Sequence, residues 1–244
     1  MNESPDPRQF ATTRWSLVLA ADPGAEDQTR ARDALEKLCR AYWYPLYAFV
    51  RTRGYSAVDA QDLTQAFFAR ILELGGLASA DRDKGRFRSY LLGALKHFLA
   101  NEWHRAQTQK RGGGMRFIEW DALDPEPRYT ETSRSLDDPE LLFDREWALE
   151  TVTGALRTLR SEMARVGKAG QFDVLKGCLT GEDDLPRAEL AARVGKNVGA
   201  VKVAIHRLRQ RYRELLRAAI AETVIDEAEL EKEMRHLVEV LRRP

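Results

Sequence analysis

The chain has 244 residues, 43% of them hydrophobic and 32% charged, with 39 Lys and Arg against 38 Asp and Glu. That length gives one large domain or two small ones, and a net charge of +1 excludes a histone-like polycation. No apolar run approaches the roughly 18 residues a membrane span needs, and Met1 to Arg14 lacks the charged head and apolar stretch of a secretory signal. The two cysteines, Cys39 and Cys178, are too far apart in sequence for a CxxC site, so the expectation is a reducing cytoplasm.

Near-neutrality hides segmentation. Net charge runs +4 over residues 1–111, −7 over 112–150, +7 over 151–221 and −3 over 222–244. No internal repeat recurs at 20–50 residues, and no alternating apolar pattern argues for a sheet. The expected fold is therefore all-α, in two helical domains: one over 10–111, an acidic flexible linker over 112–140, a second domain over 141–222, and a C-terminal amphipathic helical extension over 223–244.

Taken in order, Thr13 to Leu19 reads as a short amphipathic helix capping the first domain. From Asp59, the residues Leu63, Phe67, Ile71 and Leu74 share one face of a 3.6-residue wheel, and Asp59, Asp62, Ala66 and Ala69 the other. Between Phe87 and His104 the apolar stripe is Leu91, Leu95, Phe98 and Leu99, while Tyr90, His97, Asn101 and His104 line the opposite side. Such an outward face suits unpaired bases, because aromatic rings stack on them and amides or imidazoles hydrogen-bond their edges. Arg82, Lys84, Arg86 and Arg88 upstream and Arg105, Lys110 and Arg111 downstream would hold the flanking phosphates. The same pattern arises if Tyr90 packs on a neighbouring helix and the histidines are ordinary surface residues. A metal site is not expected, since His97 and His104 lie two turns apart with no third ligand.

The linker carries Gly112-Gly113-Gly114, Asp124-Pro125-Glu126-Pro127 and Asp137-Asp138-Pro139, all of which oppose helix. Beyond it, Arg187 to Val194 forms a helix just after Pro186, Gly195-Lys196-Asn197 a turn, and Val198 to Leu216 a longer helix, the layout of a helix-turn-helix. Val201, Ile205, Leu208 and Tyr212 would face inward, and Lys202, His206, Arg209 and Arg213 outward. The second helix of such a unit presents its N-terminal residues to base edges in the major groove. Lys202 and Arg207 are the candidates for guanine contacts, with Val203 and His206 close by, while Arg209, Arg211 and Arg213 would hold phosphates. The plainer alternative is a helical hairpin with a basic flank. In the extension, Leu230, Met234, Leu237 and Leu241 recur at helical spacing, which fits packing against neighbouring helices or a regulatory tail shielding the basic recognition helix.

At this point the two blocks, in this order, resemble the extracytoplasmic-function sigma factors of bacterial RNA polymerase. The resemblance covers roughly Leu38 to Arg111 and Phe172 to Arg217. Asp59-Ala60-Gln61-Asp62-Leu63-Thr64-Gln65-Ala66-Phe67-Phe68 resembles the family's Asp-Ala-Glu-Asp-Leu-x-Gln-Glu-x-Phe segment. Val198-Gly199-Ala200-Val201-Lys202-Val203-Ala204-Ile205-His206-Arg207 resembles its recognition helix. The resemblance implies a region 2 bundle and a region 4 helix-turn-helix that bind core RNA polymerase at the beta-prime clamp helices and the beta flap. It assigns polymerase binding to Asp59, Gln61, Asp62, Gln65 and Phe68. The melted −10 element falls to Arg86, Arg88, Tyr90, His97, Asn101, His104, Arg105, Lys110 and Arg111, and the −35 duplex to Lys196, Ala200, Lys202, Val203, His206, Arg207, Arg209 and Arg211. An anti-sigma factor or a Ser/Thr kinase is a further implied partner.

Departures from the family pattern are specific. Gln61 and Ala66 replace carboxylates on the polymerase-facing helix, and phosphorylation at Thr64 would restore charge there, although its place beside Ile71 puts a phosphate near the core edge. Ala200 and Ala204 replace a Thr and an Arg in the recognition helix. No cofactor and no catalysis by the chain are expected, for it holds no P-loop, GxSxG or HExxH motif. The competing expectation is a free-standing helix-turn-helix regulator with an N-terminal sensing or partner-binding domain.

Overall fold

The computed structural model describes residues 25–73, 86–108, 125–133, 138–181 and 185–243. These residues are helical apart from turns and one isolated antiparallel bridge between Arg86 and Val224. In chain order the helices are α1 (Ala25–Thr52), α2 (Ala57–Glu73), α3 (Phe87–Thr108), α4 (Glu126–Ser133), α5 (Pro139–Arg165), α6 (Ala169–Leu175), α7 (Gly177–Thr180), α8 (Arg187–Val194), α9 (Val198–Ala221) and α10 (Glu227–Arg242). They form two compact units, one of Met1–Leu149 with Ala221–Pro244, the other of Glu150–Ile220. Among the described residues no helix is long and apolar enough to cross a membrane.

The first unit is built around α1, whose residues from Tyr42 to Val50 are buried. Tyr42 meets Phe87 of α3 edge to face, with centroids 5.2 Å apart, and Phe67 of α2 packs on Phe98 of α3 at 5.7 Å. Aromatic pairs of this kind add about 0.5–1.5 kcal/mol each beyond the area they bury. α2 starts where Ser56 accepts the Asp59 backbone N–H at 3.1 Å while its hydroxyl donates to the Asp59 carboxylate at 2.6 Å, a reciprocal cap.

Here the structure departs from the expected domain limits. Glu126–Ser133, placed in the flexible linker by its prolines, is α4, and it is docked on α1. Glu126 accepts from the Tyr47 hydroxyl at 2.5 Å and from Arg51 at 3.0 and 2.5 Å, while Arg128 lies 3.7 Å from the Tyr44 ring centroid. Pro125 and Pro127 do not prevent the helix, because proline is tolerated at the first turn, where backbone N–H groups lack intrahelical partners. Leu142, Phe143, Trp147 and Ala148 of α5 are buried within the first unit, so the second begins at Glu150 rather than near 141. The triple glycine and the Thr13 to Leu19 segment lie outside the described residues.

The second unit closes over Leu159, Phe172, Leu175, Cys178, Leu190, Ala191, Val201, Ile205 and Leu208. Its turn is specified locally. Gly195 takes φ +69°, the left-handed value that ends α8, and its N–H and that of Lys196 return to carbonyls of that helix's last turn. Asn197 then caps α9, its side-chain oxygen accepting the Ala200 N–H at 2.8 Å.

Candidate nucleic-acid interface

On α9 the expected inward set is inside: Val201, Ile205 and Leu208 are buried and Tyr212 half-buried, its hydroxyl donating to the Val152 carbonyl at 3.3 Å. The outward set divides by what each cation does. Arg209 donates to the Cys178 carbonyl at 3.2 and 3.0 Å, which ties α9 to α7. Arg211 makes a two-pronged pair with Glu162 of α5 at 2.9 and 2.7 Å and reaches Glu214 at 2.9 Å. Those hydrogen bonds hold the Glu162 carboxyl below the usual carboxylate range. Both arginines thus have intrachain work, although the Arg211 pair is exposed and exchangeable.

Lys196, Lys202, His206, Arg207 and Arg213 differ. All are exposed, and among the described residues their side chains make no hydrogen bond or ion pair. Val203 stands among them half-exposed, and Ala200 is partly buried. Along one flank of α9, Lys196, Val203 and Arg207 edge a groove of about 590 Å³ whose other wall is Leu159, Met163 and Val166. The opposite flank carries Lys202, His206 and Arg213. The result is an unpaired cationic ridge around the half-exposed Val203, seated on a packed apolar core.

The N-terminal candidates fall differently. His97 and Asn101 are exposed on α3 as expected. Tyr90 is not: it is 7% exposed, 6.3 Å from the Phe87 centroid, and burial, helped by nearby Cys39, pushes its phenol up to about 12. A helical wheel places Tyr90 beside His97, but the N-terminal turns of α3 are covered on that side and the C-terminal turns are not. Base stacking on Tyr90 is therefore corrected to core packing. Arg88 is 8% exposed, sandwiched between Glu233 of α10 at 3.2 Å and Asp144 of α5, with Trp147 under its guanidinium at 4.9 Å. Arg86 is half-buried, its Nε 3.0 Å from Glu229 and its Nη1 3.0 Å from Glu233. His236 approaches Asp144 at 3.0 Å and packs near Trp147 at 5.8 Å. The side chains of His104 and Arg105, and all of Arg82, Lys84, Lys110 and Arg111, lie outside the described residues.

On α2 the expected polymerase-facing set is also mixed. Asp59 and Asp62 are exposed, Gln61 and Gln65 partly so, but Phe68 is fully buried, 5.5 Å from Phe67. Ala66 and Ala69, expected on the polar face, are buried as well. Thr64 is wholly inside and donates its hydroxyl to the Ala60 carbonyl at 2.7 Å, so a kinase would reach it only if α2 lifted from the core. Sequence reasoning missed Asp144, Glu162, Glu229 and Glu233 as the partners of these arginines. The available signal was the apolar stripe of Leu230, Met234, Leu237 and Leu241 in an acidic segment, which fitted packing on neighbouring helices without saying which.

Cys39 and Cys178 are buried thiols, and among the described residues no three His, Cys, Asp or Glu side chains converge as metal ligands. No protein-family model matches the chain, and comparison with curated proteins and with solved structures finds no match.

Proposed function

We propose that the chain is a sigma factor of the extracytoplasmic-function type, which binds core RNA polymerase in the cytoplasm and directs it to promoters whose −35 element is read by α9. The observation that carries the reading is the α9 ridge. Lys196 in the turn and Lys202, Val203, His206 and Arg207 on the second helix of a helix–turn–helix layout stand exposed and unpaired, while Glu162, Glu189 and Glu214 neutralise other arginines. A bidentate cation on a guanine edge and an apolar side chain on a thymine methyl are the contacts such a ridge can offer a major groove. In the first unit, exposed Asp59 and Asp62 supply an acidic face for core polymerase, and His97 and Asn101 are the described residues left to meet the melted −10 strand.

A second reading has its own support. Coverage of Arg86, Arg88 and Tyr90 removes the cations and the aromatic ring that α3 would offer a melted strand, as in a helix–turn–helix regulator whose first domain binds a partner instead. In vitro transcription with purified core polymerase separates the two. A sigma factor converts core enzyme to initiation at discrete sites and loses this when Lys202 and Arg207 become alanine. A free-standing regulator binds duplex DNA equally well without polymerase and starts no transcript.

A further inference from the structure

The surroundings of Arg86 and Arg88 are left over by that reading. Two guanidiniums meet three carboxylates: Arg86 holds Glu229 and Glu233, and Arg88 holds Glu233 through two nitrogens at 3.2 Å and Asp144 through a third. Glu233 is almost completely enclosed, with 2% of its side chain exposed, whereas Arg86 keeps 35% of its side chain in water. The chain entering α10 is fastened at the same place, since Arg86 bridges to Val224 and the Phe87 N–H donates to the Thr223 carbonyl at 2.9 Å.

Stability alone does not call for this arrangement. An enclosed ion pair seldom stabilises more than a well-packed apolar replacement of the same volume, so a helix needed only as a lid would gain as much from leucines there. α10 already has such residues in Leu230, Leu237 and Val240, all buried. Its carboxylates do something leucine cannot: they present paired oxygens to a guanidinium fork in the way a phosphodiester does. The partly wet Arg86 is where a competing anion gains its first contact.

We propose that α10 is an intrachain occupant of a phosphate-binding seam, in which Glu229 and Glu233 fill Arg86 and Arg88 in place of the backbone of single-stranded DNA. Engagement of a strand there requires α10 to leave. This rests on the nucleic-acid reading of the first unit, and it redirects the C-terminal extension from the recognition helix to α3. Displacement is an exchange of anions, in which Glu229 and Glu233 pass into water as phosphates take the arginines, while the buried leucines set the cost.

The test uses the full chain and a fluorescent single-stranded oligodeoxynucleotide. E229Q/E233Q keeps the shape and removes two charges; it should bind about tenfold more tightly than wild type, and its salt slope should steepen by about 1.4 for two added phosphate contacts. Adding R86Q/R88Q should cancel both gains. Because the double Gln variant could unfold, hydrogen exchange on the unaltered protein provides a second measurement: amides of 227–242 should lose protection when saturating oligonucleotide or a forked promoter complex with polymerase is present. Unchanged affinity and slope in a folded E229Q/E233Q, or full protection of 227–242 in the bound state, overturns the proposal. Promoter-specific transcription with α10 still protected sinks the occupant and leaves the sigma reading standing. Arg86-dependent strand binding without polymerase-dependent transcription does the reverse.

Discussion

Arg88 is a heavily engaged side chain of the first unit, and the consequence of removing it follows from what stays behind. Arg88→Ala leaves the enclosed Glu233 with the partly exposed Arg86 alone and takes the guanidinium from Asp144, and breaking a buried pair on one side costs up to about 3–5 kcal/mol. Urea unfolding should show that loss, and R88M/E233M should recover part of it, because the most enclosed carboxylate of the cluster is removed together with its partner while Asp144 keeps His236. Glu126 makes a titratable counterpart. Hydrogen bonds from Arg51, then from Tyr47, hold its carboxyl below the usual range despite partial burial. A lowered folded-state pKa gives stability that is present above the unfolded value and is lost as pH falls through the folded one. The difference in thermal midpoint between wild type and E126Q should therefore be largest at neutral pH and shrink below about pH 4. Tyr90 shows why single residues are hard to place from sequence. Its angular position around α3 was legible, but whether that side was covered depended on α1, more than forty positions upstream, and no local pattern encodes that.

At the scale of elements, legibility follows locality. The limits of α8 and its turn could be read from Pro186, Gly195 and Asn197, because each acts on backbone within four residues of itself. Asn197→Ala removes the oxygen that satisfies the Ala200 N–H and should cost about 0.5–2 kcal/mol by chemical denaturation. Gly195→Ala places a Cβ at φ +69° with no steric neighbour in reach, so its cost of about 1 kcal/mol is purely conformational. The acidic stretch misled for the complementary reason. Prolines and glycines mark where a helix is unfavourable in isolation, but α4 is held by Arg51, Tyr47 and Tyr44, and tertiary contact outweighs propensity. α10 was legible as an amphipathic helix in an acidic segment that packs on neighbouring helices or shields the recognition helix, but which helix receives it depends on distant sequence, and only the fold chooses.

Across the whole molecule, the division of cations into paired and unpaired decides what DNA binding should look like. Lys202→Ala and Arg207→Ala should each weaken binding to a −35 duplex by about 1–3 kcal/mol and relax discrimination at one base position, measured by fluorescence anisotropy against single-base variants. Glu162→Gln should instead loosen Arg211, leaving it the exposed Glu214 pair alone, and so tighten all sequences alike and steepen the salt dependence by at most about one. Indifference of duplex affinity to all three substitutions would contradict a DNA-facing α9.

The first unit is discontinuous, with α10 returning to the start of α3 across a separation of 147 positions between Arg86 and Glu233. At common elongation rates a ribosome needs roughly 7–30 s to cover that distance. Throughout that interval a nascent chain carries Arg86 without its two carboxylates and Arg88 with Asp144 alone, and the unit cannot finish assembling. Early termination anywhere before α10 would release a product fixed in that uncovered condition, so for this chain the order of synthesis is itself a control on when a cationic surface is silenced.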